Sequence, residues 1–379
     1  MACLKRPLSL TEKITILLLL LVVVLRHLKY FAFADFYGQH LICRYICNGV
    51  NPYVPQSAAT LAQLGLQQIP PGFGTSPWGC VLGMLFYPGF LPADAARIWL
   101  VLLFAVAFVG FIAYAVHVFP RHRQTILLTS LATVIPYLAS YIYGNAGGII
   151  CILLFMALLL MESGHVVLAG VCLAFAMVKP QAAMLVCLYL LLERRYKPLV
   201  VAAVMVVGAW WLTARILDAG MLDLIGMMFG ANIGGGGQFM GILSRPLRGT
   251  PFAQHSLFLS MAAGTLYAVT LYSIIKRRRP ADRYLPLLPF CVATAFWSYN
   301  TLNELAILMP LACYCIYIFN KVSRLTQKMF LGVIIFLCSF SYVIIYCLTV
   351  VFLSSTIALQ IFSVLLLCVF PFTLRLPKI

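Results

Sequence analysis

Apolar residues run unbroken for several helical turns at a time along most of the chain, and the polar residues collect in short clusters between the runs. Runs of this kind, bounded by charge, read as membrane-spanning helices. The pattern predicts spans over 14–34, 97–118, 125–143, 149–161, 166–178, 182–192 and 198–214. It predicts three more between 255 and 321, with turning points at 276–279 and 297–300, and a last pair over 329–353 and 355–372. The spans 149–161, 166–178 and 182–192 are short for a hydrocarbon layer of roughly 30 Å, which places them inside the bundle or beside a water-filled cavity.

Two stretches interrupt this rhythm. Residues 36–96 form a first external region. Its 36–47 segment reads as a short helix offering Phe36, Tyr37, Leu41, Tyr45 and Ile46 to the membrane interface, and Asn48-Gly49 stops it. Asn51-Pro52-Tyr53-Val54-Pro55 then makes a turn, 51–74 is an ordered surface loop, and 77–90 is an interfacial or re-entrant segment, being short and carrying Pro88 and Gly89. The second interruption, 215–255, is a long external loop centred on a run of glycines that ends at Gln238.

Composition sharpens the class. The chain is 63% hydrophobic and 9% charged, with a mean hydropathy of +1.02, which excludes a water-soluble domain. The 26 basic residues outnumber the 9 acidic ones for a net charge of +17, a balance that would suit nucleic acid. Their placement argues against that partner. They cluster at 121–123, 193–197, 276–279 and 321–328 and near both termini, as cytoplasmic loops do. Both ends are therefore expected in the cytoplasm, and the first apolar run, followed by Arg26, His27 and Lys29, is not expected to be a cleaved signal. Most cysteines lie within apolar runs as small hydrophobes, and Cys43 and Cys47 share one helical face, a poor geometry for a bridge. The expectation is an all-α polytopic membrane protein, one domain over 1–379 with about twelve spans (ten to thirteen) and no internal repeat.

This topology puts Asp35, Asp94, Asp218, Asp223 and Glu304 on the outer side, with no DxD or other metal-ligand spacing, so no metal is expected. The outer cations are Lys179, Arg215, Arg245, Arg248 and His255. Asp35 stands where the first span meets water, a place where a carboxylate is costly unless paired or used. Capping the helix that follows is one such use; proton transfer is another.

Two stretches carry a resemblance to a known family. In 35–53 they are Asp35, Tyr37, Gly49, Asn51, Pro52 and Tyr53; in 169–180 they are Ala169-Gly170, Leu173-Ala174 and Lys179-Pro180. They resemble glycosyltransferase family 87, membrane enzymes of the GT-C fold. The resemblance implies a GT-C-type bundle with interfacial helices in its first external loop, set among the lipids of a bacterial cytoplasmic membrane. It implies transfer of a sugar, most often mannose, from a polyprenyl-phosphate donor to a lipid or glycan acceptor at the outer face, with no cofactor. Asp35 would deprotonate the acceptor, and a single base with direct displacement inverts the anomeric centre. Arg245 foremost, with Lys179 and Arg248, would hold the donor phosphate; Tyr37, Asn51, Tyr53, Asn145, Gln238 and Asn300 would contact substrate. The chain departs from the family at Gly144-Asn145, where Gly-Gln is usual, at Gly236-Gly237-Gln238, and at Trp297-Ser298-Tyr299, where Trp-Asp-His is usual. A flippase for lipid-linked sugars and a polysaccharide polymerase are the rival readings.

Overall fold

The computed structural model describes residues 34–69, 80–234, 243, 247, 250–252, 255–278, 285–294, 306–319, 322, 324–339, 344 and 355–373. The expected span 14–34, save its last residue, lies outside these, as do Gln238, Arg245, Arg248 and the 297–300 turn. Every regular element among the described residues is helical.

The chain enters through α1 (Ala34–Cys47) and a short α2 (Ala58–Gln63), whose first turn is capped by Ser57 accepting from the Thr60 amide. A 3₁₀ turn, Val81–Leu85, leads to α3 (Ala93–Val118). There follow α4 (Arg123–Tyr143), α5 (Gly147–Glu162), α6 (Val166–Ala176), α7 (Pro180–Leu192) and α8 (Tyr196–Ile216). Beyond them come α9 (Met221–Gly234), α10 (Ser256–Arg277), α11 (Leu288–Ala293), α12 (Met309–Phe319), α13 (Leu325–Ser339) and α14 (Ser355–Thr373). Three described helices are long and apolar enough to cross a membrane, α3, α8 and 258–277 of α10.

Burial explains the short helices. Helix α5 buries Ile149, Ile150, Cys151, Ile152, Leu154 and Ala157 in succession, so it is enclosed on every side by α3, α4, α6 and α7. Its 16 residues reach only about 24 Å, and a helix surrounded by protein has no need to match the bilayer. Helix α3 is different. Ala96, Leu100, Phe104, Phe108, Ile112 and Ala115 form one buried stripe, while Ile98, Leu102 and Val106 stand exposed on the other side. Exposed apolar residues recur on α8 at Val200, Val204 and Val207, and on α10 at Phe258 and Leu266, as a surface in contact with lipid requires.

Two expectations change. Helix α1 is not laid on the interface: Phe36 and Ile46 are fully buried and Tyr45 nearly so, leaving Tyr37 exposed. The reason is packing, because α1 is held between α3 and α4 on one side and α8 on the other, with the 51–69 loop folded over it. Tyr45, Val50, Leu61 and Leu66 make that loop's own small core, and the Tyr45 hydroxyl donates to the Gln67 carbonyl at 2.9 Å. The second change is in 215–255, where 221–234 is the regular helix α9 rather than loop. It packs with α8, Ile42 and Ile46 of α1 and the 3₁₀ turn in a second apolar cluster around Trp210 and Leu224. The 77–90 segment, from 80 onward, is a single 3₁₀ turn and a bend and does not span.

Candidate functional site

Helix α4 ends at Gly144, whose φ of 64° lies in the left-handed region. The Gly144 amide donates to Tyr141 and the Asn145 amide to Ser140, the two bonds of a Schellman stop. The stop turns the chain so that Asn145, 7% exposed, faces inward at the start of α5. Tyr87 locks the turn from below the 3₁₀ segment. Its hydroxyl donates to the Gly144 carbonyl at 3.2 Å and accepts from the Ala146 amide at 2.8 Å. Burial raises this phenol well above the ordinary tyrosine range, and the nearby Asp35 charge pushes it further the same way.

At the α6–α7 junction Lys179 precedes Pro180, the first residue of α7. Proline there has no amide to lose and favours extended backbone at the residue before it, and Lys179 has φ −127° and ψ 79°. Asp35 sits in the first turn of α1, the end of a helix where negative charge is favoured.

These three side chains meet. Asn145 Nδ2 donates to Asp35 Oδ2 at 2.9 Å, and Asn145 Oδ1 accepts from Lys179 Nζ at 2.6 Å and from the Gly147 amide at 2.9 Å. The two bonds to the oxygen settle which way the carboxamide points: oxygen to the ammonium, nitrogen to the carboxylate. The N-termini of α1, α5 and α7 converge on the same point, each contributing partial positive charge. The arrangement can hold one anion already present, Asp35, and has the field to attract a second.

Beside it, His40 stacks on Phe36 with ring centroids 5.4 Å apart, and its Nε2 lies 3.1 Å from the Leu91 carbonyl oxygen. Burial lowers this imidazole below its usual range, with the Leu91 bond opposing. Gly89 lets the 80–91 strap lie directly on α1, since a Cβ there would come within 2.3 Å of the Cys43 carbonyl carbon.

Other expected contacts are arranged differently. Asn51 Oδ1 accepts from the Tyr53 amide at 2.9 Å, and its Nδ2 lies 3.9 Å from Met227 Sδ, so it builds a turn and ties it to α9. Tyr53 packs on the cluster around Trp210, and Tyr37 is 51% exposed, edge-on to Phe36. Tyr87 near Asp35, and His40 and Gly89 where the strap lies on α1, were not anticipated. Only Gly89 left a trace in the sequence, as part of the Pro88-Gly89 step.

At the far end of the bundle the charges pair among themselves. Glu193 binds Lys276 at 2.7 Å and accepts from the Tyr272 hydroxyl at 3.0 Å, and Arg195 meets Glu162 at 3.5 Å.

The described residues define a helical membrane protein with a polar centre built from a carboxylate, an amide and an ammonium at converging helix ends. The chain belongs to glycosyltransferase family 87, whose family model matches residues 79–283, and it is accordingly a glycosyltransferase. That stretch contains Tyr87, Asn145 and Lys179, while Asp35 precedes it. No curated protein and no solved structure matches the chain.

Proposed function

We propose that the enzyme transfers a sugar, mannose by family habit, from a polyprenyl phosphate to a lipid or glycan hydroxyl, with Asp35 as base. The observation that supports this is the Asp35–Asn145–Lys179 chain, which sets a proton acceptor and a cation a few ångströms apart at one end of the bundle. In the proposed step the acceptor hydroxyl gives its proton to the Asp35 carboxylate as its oxygen bonds to the anomeric carbon. The bond from that carbon to the phosphate oxygen breaks, and its electron pair leaves with polyprenyl phosphate. Lys179 and the helix N-termini of α5 and α7 favour the charge gained by the departing phosphate. Phosphate is a competent leaving group in this displacement, so the reading draws on no cofactor. Single displacement inverts the anomeric centre.

On this reading the full bundle is GT-C-like with about twelve spans, and the Asp35 end faces outward. The opposite end, rich in cations at 121–123, 193–197 and 276–279, faces the cytoplasm together with both termini.

The test is transfer from labelled polyprenyl-phosphate mannose to a lipid extract of the native host, in membranes holding wild type or Asp35→Asn at matched expression. Transfer by wild type and its loss in the variant is the expected result. Equal transfer by both removes Asp35 from the chemistry. Silence from both sinks the donor assignment and turns attention to flipping of lipid-linked sugar.

A further inference from the structure

We infer that Asn145 is a positioning residue: it touches the base and the cation rather than the sugar, and holds the two in fixed relation. The inference rests on the reaction proposed above and goes beyond it in assigning a role to the amide between Asp35 and Lys179.

The geometry carries the argument. An amide contacting a sugar needs its nitrogen or oxygen turned toward the substrate, but the oxygen of Asn145 is fully taken within the protein and one of its two N–H groups is given to Asp35. Its oxygen takes Lys179 Nζ at 2.6 Å and the Gly147 amide at 2.9 Å, which occupies both lone pairs. Its nitrogen meets Asp35 Oδ2 at 2.9 Å. The residue is 7% exposed, and the backbone on either side is pinned by the Gly144 stop and by the Tyr87 hydroxyl on Ala146. The amide therefore has one orientation, and the carboxylate it binds is held in position relative to Lys179. Hydrogen bonds to charged groups are the strong ones, and this residue makes two. An acidic side chain here would satisfy Lys179 and Gly147 equally well, but would set a second carboxylate against Asp35. A shorter route to a mere helix cap therefore existed, and the amide is the residue that serves all three partners.

The experiment compares wild type, Asn145→Asp, Asn145→Leu and Asp35→Asn, each as full-length chain in nanodiscs, with polyprenyl-phosphate mannose and the host lipid extract. Asn145→Asp keeps the acceptor for Gly147 and Lys179 but opposes a second carboxylate to Asp35, so kinetics are compared at temperatures where each variant is folded, as read from its thermal midpoint. The expected result is a fall in kcat of about ten- to hundred-fold in Asn145→Asp, with donor KM within about two-fold of wild type. Asn145→Leu should lose at least as much. A raised KM with kcat retained would make Asn145 a substrate contact and overturn the inference. Full activity in Asn145→Asp would reduce the residue to a cap of α5 and overturn it as well. Both outcomes leave the reaction class standing when wild type transfers and Asp35→Asn does not. An inactive wild type removes the reaction class and this inference together.

Discussion

The Tyr87 hydroxyl accepts from the Ala146 amide at 2.8 Å while donating to the Gly144 carbonyl, so one phenol from the 80–91 strap clasps the turn that carries Asn145. Replacing it by phenylalanine keeps the ring against Phe36 and Phe86 and deprives two buried backbone groups of their partner. Tyr87→Phe is expected to cost about 1–3 kcal/mol of stability. A lower thermal midpoint in detergent, with slower transfer at temperatures where the variant is folded, is the result to look for. A midpoint equal to wild type would show that the turn stands without the phenol.

Gly89 is the point of closest approach between the strap and α1. A methyl group there would lie 2.3 Å from backbone Cys43, and backbone cannot step aside as a side chain does. Gly89→Ala is expected to cost about 3 kcal/mol or more and to reduce folded yield on size-exclusion chromatography. Gly110→Ala and Gly208→Ala, where a methyl would meet nothing within 4 Å, serve as controls and should gain slightly from helix propensity.

Lys179 donates to the Asn145 amide oxygen at 2.6 Å, which places an ammonium at the centre where the proposed donor phosphate would sit. Lys179→Met should lower kcat/KM for the proposed polyprenyl-phosphate donor by about ten-fold or more, and Lys179→Arg should recover part of the loss, since arginine restores charge with a different fork geometry. Donor-concentration series on the three proteins decide it. Wild-type kinetics in Lys179→Met would leave the ammonium a purely interfacial anchor.

His40 makes acid sensitivity a local property. Its imidazole is lowered below its usual value of 6.5 by burial, so the folded state favours the neutral ring more than the unfolded chain does. The stability this contributes is present above about pH 6.5 and is lost as pH falls below it. Thermal midpoints at pH 7.5 and 5.5 should therefore drop further in wild type than in His40→Asn, after allowing for the lower baseline of the variant. Equal drops would locate the acid response elsewhere.

Helix boundaries were legible because each is written in residues that a helix interior avoids. The apolar runs at 125–143, 149–161 and 198–214 form the helices Arg123–Tyr143, Gly147–Glu162 and Tyr196–Ile216, ending at Gly144, at Ser163-Gly164 and at Leu217-Asp218. Asp35 and Lys179 were legible for a related reason: in a chain with nine carboxylates, a charge beside an apolar run is conspicuous. The orientation of α1 and the helical state of α9 were not, because the side chains that bury Phe36 or seat Leu224 belong to α3, α4 and α8.

The sequence by itself determined an all-helical membrane chain, its turning points at 144–148, 162–165 and 193–197, and the three residues of the polar centre by chemical type, with Asn145 expected only as a substrate contact. Only the tertiary structure decided which face of each helix meets protein and which meets lipid, since both surroundings are apolar and the same residues suit either. It also decided the partners of Asn145. In sequence that residue is a polar step between two helices; the packing of α1, α5 and α7 brings it 2.9 Å from a carboxylate 110 residues earlier and 2.6 Å from a lysine 34 residues later. Hydrogen bonds reach about 3 Å, so such a junction exists only once three helix ends have been packed together.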